Sequence, residues 1–304
     1  MRKRLFTLTA VMILIVSMLG ACAKNGDANS EGSGAASTAA PTASGNNTDT
    51  KTTDAPAAGN TDAQPGDASA GQTDDTASAE GLTVTTEVAD GWSEKNGVYT
   101  ITKGGEYTFT GMLSEGRIIV KAKGEEVSVI LSGVTLSSVE DSVIYVEDAE
   151  ETTIVAQNGT VNTLNDNRAP KVGNSELAGN ACIYAKDDLS IQGKGTLIVN
   201  ASYNKGIHTK NDLKIKNLTL EVNAVGTAIQ GNDSVTIKSG DITLVSSGND
   251  GIKTKDTDVS SKGKQRGVVT IESGKVSITA KDECINAAYD VQISAEAEVT
   301  QKKY

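Results

Sequence analysis

Aromatic residues are scarce: the 304-residue chain holds one Trp and two Phe. A flat aromatic platform for stacking sugar rings is therefore not expected, and Trp92 cannot supply one alone. Histidine occurs once, as His208, and is expected at a solvated position. No nucleophile–base pairing, zinc spacing or phosphate loop stands out, so the chain offers no ready-made catalytic signature. No window carries a sustained helical face. From Ala23 to Glu80 there is no Ile, Leu, Val, Met or aromatic residue at all. Such a segment cannot bury enough apolar surface to offset its backbone entropy, so residues 22–80 are expected to form a disordered tether rich in Ala, Ser, Thr, Gly and Asp.

Ahead of the tether stands a basic start, "MRKR", and a short apolar run ending in "LGAC". This reads as a signal segment, residues 1–21, with a lipobox in which Cys22 carries lipid. The expected location is the extracellular face of the cell membrane, with contact to the membrane through the lipid anchor only. Residues 81–304 are then one sizeable domain. Of the net charge of −11, the signal segment carries +3 and the tether −7, which leaves −7 for that domain. A mildly acidic surface excludes nucleic acid as a partner and is compatible with bound cations.

A phrase recurs through the domain: "NACIYAKDDLSI", "NKGIHTKNDLKI", "GTAIQGNDSVTI", "NDGIKTKDTDV" and "DECINAAYDVQI". Its anchors are Ile183, Ile207, Ile229, Ile252 and Ile285, spaced by 24, 22, 23 and 33 residues. A fixed period of this size signals a stacked array. Each period holds alternating apolar and polar stretches such as "LKI" and "LTLEV", which is strand periodicity. Three short strands per period predict an all-β parallel β-helix, a solenoid of about nine coils. The isoleucines form an internal ladder. The residue before each anchor (Cys182, Gly206, Ala228, Gly251, Cys284) is small, as a tight corner requires. Cys182 and Cys284 lie four coils apart, about 19 Å at the strand spacing. A disulfide needs α-carbons within about 7 Å, so both are expected buried and reduced. Two polar excursions break the period, at 165–180 and 256–267, and such loops commonly carry function.

Acids follow the anchors: Asp188, Asp212, Asp233 and Asp256, with Asp250, Asp258 and Asp282 near the same edge. Two readings stay open. The carboxylates cap turns through backbone amides, or they hold calcium, which takes several hard oxygen ligands. Lys205, Lys210, Lys253 and Lys255, with Arg266 on the second excursion, accompany the acids. They neutralise the acid ladder, or they pair with the carboxylates of an anionic polymer.

The stretches "ACIYAKDDLSI", "YNKGIHTKNDLKI", "SGNDGIKTKD" and "GVVTIESGKVSITAKDE" resemble the carbohydrate-binding lipoproteins of Gram-positive bacteria. The upstream "GEYTFTGMLSEGRIIV" and "VSVILSGVTL" look like that family's early coils. The resemblance implies a pectate-lyase-like right-handed parallel β-helix that contains calcium. It also implies binding of plant cell-wall polysaccharide, polygalacturonate or cellulose, without established catalysis. Two departures stand out. Ala287–Ala288 replaces the Lys-containing turn of the other frames, and family members run on through further coils, so Lys302 and Lys303 are placed to blunt an open edge. The expected function is a monomeric, non-catalytic polysaccharide-binding module. A calcium-dependent pectate lyase is the alternative, with Arg266, Arg168 or Lys210 as base, and a structural surface adhesin is the second alternative.

Overall fold

The computed structural model describes residues 80–171 and 179–304. Cys22, the signal segment and all of the tether except Glu80 lie outside the described residues. Among the described residues every regular element is a strand. The chain begins with β1 (Gly81–Thr85), β2 (Trp92–Lys95), β3 (Val98–Ile101) and β4 (Gly105–Leu113). It continues with β5 (Arg117–Lys121), β6 (Glu126–Ser138), β7 (Ile144–Asp148), β8 (Glu151–Ala156) and β9 (Val161–Asp166). The repeats supply β10 (Ala181–Ala185), β11 (Asp188–Gly193), β12 (Thr196–Ala201), β13 (Lys205–Thr209), β14 (Asp212–Ala224), β15 (Ile229–Gly231) and β16 (Ser234–Ser246). Last come β17 (Ile252–Lys253), β18 (Val268–Ile271), β19 (Gly274–Ala280), β20 (Ile285–Asn286), β21 (Asp290–Ile293) and β22 (Ala297–Lys303).

The expected right-handed β-helix of about nine coils is not the architecture found. The strands fall into two sheets, one of thirteen strands and one of nine. Within the larger sheet β6, β8, β11, β14, β12 and β9 pair in a closed parallel ring, a six-stranded barrel, and further strands extend from it. The reason lies at corners that read in the sequence as breaks. Gly133 (φ 74°), Asn217 (φ 67°) and Gly240 (φ 138°) bend the chain without ending the strand. Thus β6, β14 and β16 each run 13 residues, and a single strand pairs with two others on one side. Asn162, fully buried, satisfies one such corner by accepting from the Gly133 and Val134 amides at 2.9 and 3.0 Å. The start also departs from a uniform stack, because β1–β4 and β2–β3 are antiparallel. Asn96 and Gly97, both at positive φ, make the tight β2–β3 turn.

The nine-stranded sheet runs β2-β3-β5-β7-β10-β13-β15-β17-β20. Its in-register isoleucines are Ile118, Ile144, Ile183, Ile207, Ile229, Ile252 and Ile285. All but Ile285 are wholly buried. Because one face of each strand must bury, a slip by one residue would expose the whole ladder, and the register is fixed accordingly. Gly206 is required by close approach: a Cβ there would overlap Val222 Cγ1 and stand 2.6 Å from the Ala228 carbonyl oxygen. Cys182 and Cys284 occupy equivalent corners, both buried and unpaired.

Candidate functional site

The face of the nine-stranded sheet opposite the isoleucines carries a different row. One residue after each anchor stand Tyr145, Tyr184, His208, Gln230, Lys253 and Asn286, in register across β7, β10, β13, β15, β17 and β20. All but Asn286 floor a groove of about 660 Å³. Tyr145 and Tyr184 stack at 5.7 Å, and Tyr184 meets His208 at 5.3 Å. The two tyrosine rings lie nearly parallel, the His208 ring is tilted by 53° against Tyr184, and all three residues are buried. The groove therefore meets polar edges rather than an open aromatic face, so it suits ionic and hydrogen-bonded ligands.

Lys186, Lys205, Lys210, Lys253 and Lys255 line the groove, and none of the lining residues is an acid. Lys186 donates a hydrogen bond to the Tyr145 hydroxyl, which raises its pKa, and its ammonium sits 5.5 Å from that ring's centroid. Lys253 pairs with the buried Asp250 carboxylate at 2.7 Å. Lys210 and Lys255 are exposed and form no ion pair among the described residues. Amides complete the lining: Asn180, Gln230, Asn232 and Asn249.

His208 is buried, not solvated as expected. Nδ1 lies 2.7 Å from Asn180 Oδ1 and Nε2 lies 3.1 Å from Asn232 Oδ1. Burial first, then the charges of Lys205, Lys210 and Lys255, lower its pKa to about 3 against the opposing effect of the Asn232 hydrogen bond. The ring is neutral at pH 7 and serves as polar floor.

The remaining expected site residues lie elsewhere. Arg266 does not line the groove; it pairs with Asp233 and Asp258, each at 2.7 Å. Asp188 and Asp212 share a small cleft with Glu151 on the larger sheet. There the Lys264 ammonium reaches Asp212 at 2.6 Å from 52 residues away, and Asp188 accepts the Asp212 amide at 3.2 Å. Burial, with repulsion from Asp212 and Glu151, pushes the Asp188 carboxyl above the usual range. Burial also raises Asp233, with Asp212 and Asp256 adding to it in spite of Arg266. Asp250 and Asp282 lie toward the other end, beside Glu283 and Asn286. Among the described residues no three of His, Cys, Asp and Glu converge as metal ligands. Of the residues expected to hold calcium, Asp188 accepts a backbone amide, Asp212 pairs with Lys264, Asp233 and Asp258 pair with Arg266, and Asp250 pairs with Lys253.

The pattern could have revealed the floor. Its residues occupy one fixed place in the repeat, but Tyr, His, Gln, Lys and Asn share no chemistry, so the row is invisible to a search for like residues.

The fold and groove define a class: an all-β, repeat-built protein that presents a lysine-lined groove on one sheet face. Residues 95–303 match the model of the carbohydrate-binding domain-containing protein family, and the chain belongs to that family. A carbohydrate-binding domain-containing protein of Acetivibrio thermocellus is 38% identical over 143 residues, which is 46% of this chain and 50% of that protein. The chain thus spans about half the length of the curated relative it matches. A solved structure described as a polysaccharide lyase-like protein from C. thermocellum aligns with a TM-score of 0.60 and 34% identity. It covers 71% of this chain and 89% of that one.

Proposed function

We propose that the lysine groove binds an acidic plant cell-wall polysaccharide such as polygalacturonate, without cleaving it. The observation that carries this reading is local charge reversal. A chain of net charge −11 concentrates five lysines and no acid along one groove. Carboxylates spaced along a uronate chain would pair with those ammonium groups, while Asn180, Gln230, Asn232 and Asn249 offer both donors and acceptors to hydroxyls. Family membership supports a carbohydrate ligand. Attachment to the outer face of the membrane through Cys22 would hold the groove beside wall polymers.

The lyase alternative draws support from the description of the solved relative. Two of its candidate bases are committed elsewhere: Arg168 to Asp166 and Asp141, Arg266 to Asp233 and Asp258. Lys210 alone of the three faces the groove.

The test is retention of the protein on polygalacturonate and on a neutral glucan, with calcium or with EGTA, reading ultraviolet absorbance for unsaturated product in the same tubes. Retention on the acidic polymer without product supports the proposal. Product formation makes the protein a lyase. Retention only with calcium places a metal between chain and polymer, and equal or absent retention on both polymers overturns the reading.

A further inference from the structure

Arg168 lies at 4% exposure behind the groove. Its Nε and Nη2 donate to the two oxygens of the fully buried Asp166 carboxylate, each at 2.7 Å. Nη1 donates to the Gly179 carbonyl at 2.6 Å, and Nη2 to the Ala181 carbonyl at 3.1 Å. The guanidinium covers the Tyr203 ring at 4.1 Å. Asp141, 3.2 Å from Nη1, ties it to Arg117 at 3.1 Å. Such a planar fork can hold several acceptors at once in a fixed geometry, which an ammonium cannot.

The two carbonyls matter because they flank Asn180. That residue lines the groove and places its amide oxygen 2.7 Å from His208 Nδ1. Asn232 likewise presents its oxygen, 3.1 Å from Nε2, and that oxygen also accepts from Gln230 Nε2 at 2.6 Å. A neutral imidazole has one N–H, so the two amides compete for it and their placement decides which nitrogen carries it.

We infer that Arg168 is a positioning residue for the groove: by pinning the backbone on both sides of Asn180, it aims that amide at His208 and fixes the tautomer of the floor. This rests on the groove being the polysaccharide site. Arg168 touches no ligand itself. Its effect passes through Asn180.

The experiment compares Arg168→Lys, Asn180→Ala and the double variant, each checked for a cooperative thermal transition. Arg168→Lys keeps the charge opposite Asp166 and so avoids leaving a buried carboxylate alone, and Asn180→Ala leaves the ion network intact. Two readouts are taken: affinity for polygalacturonate and the ¹⁵N shifts of the His208 ring. The expected result is that Arg168→Lys weakens binding about tenfold and shifts the ring nitrogens toward a tautomer mixture. In the Asn180→Ala background the same change costs less than about twofold, since the two substitutions act on one path. Unchanged ring shifts in Arg168→Lys, or a full tenfold loss in the Asn180→Ala background, would overturn the inference. If the wild-type protein does not bind the polymer, the binding reading fails on its own, and the ring shifts still decide the role of Arg168.

Discussion

Tyr184 and His208 stand on neighbouring strands with ring centroids 5.3 Å apart and planes tilted by 53°. Burial in this packing, with the charges of Lys205, Lys210 and Lys255, keeps the lone histidine neutral against the pull of the Asn232 hydrogen bond. The sign of its effect on stability follows from a folded pKa of about 3 below the usual 6.5. Between those values the unfolded chain binds the proton and the folded chain does not. Stability is therefore full above about pH 6.5 and falls as pH drops toward 3, by up to about 1.4 kcal/mol per unit. Urea midpoints from pH 7 to 4.5 should show this slope, and His208→Gln should remove it. A wild-type slope equal to that of the variant would count against a neutral buried ring.

Charge reversal in the groove should act on binding and not on folding. Lys210→Glu and Lys255→Glu each remove an exposed ammonium that has no ion-pair partner among the described residues. Each should weaken polygalacturonate binding about tenfold, and the wild-type affinity should fall as salt rises. Lys275→Glu, exposed on a strand outside the groove, is the control. Isothermal titration of the three variants separates a local effect from one of net charge.

Gly206 has no room for a methyl group against Val222 and the Ala228 carbonyl. Gly206→Ala should cost about 1–3 kcal/mol through overpacking. At the equivalent corner Ala228→Gly should cost no more than about 1 kcal/mol. Denaturant midpoints will rank the two, and the reverse order would refute the close approach.

Cys182 is sealed from solvent, and burial, with Asp166 adding to it, pushes its thiol well above the ordinary range. Alkylation followed by peptide mapping should find Cys182 unmodified in the native protein and modified after denaturation. Modification at native conditions would mean that the β10 corner opens.

How far the sequence disclosed this molecule depends on what each position has to do. The isoleucine ladder was readable because every strand makes the same demand at that point: an apolar side chain of one shape in register with the next. Buried, unpaired cysteines followed from the same register. The closed ring was hidden because Gly133, Asn217 and Gly240 look like strand breaks and act as bends within strands. The antiparallel start had a local signal in Asn96–Gly97, a residue pair suited to a two-residue hairpin. Within the groove, Lys205, Lys210, Lys253 and Lys255 stood out as charges, whereas Tyr145, Tyr184, Gln230 and His208 did not, because a polar residue reads as solvated until its neighbours are known. Arg266 was placed with the lysines by sign alone, and Asp233 and Asp258 draw it away.

Because the groove takes one floor residue from each successive strand, it behaves as a ruler. A further repeat of about 23 residues would lengthen the row of floor residues by one rung, about 4.8 Å, where its strands join the two sheets beyond the closed ring. Adding a single residue within a strand would turn the rest of that strand inside out. The reach of the site is thus counted in repeats, and units beyond the ring are the ones whose number can change without reopening it.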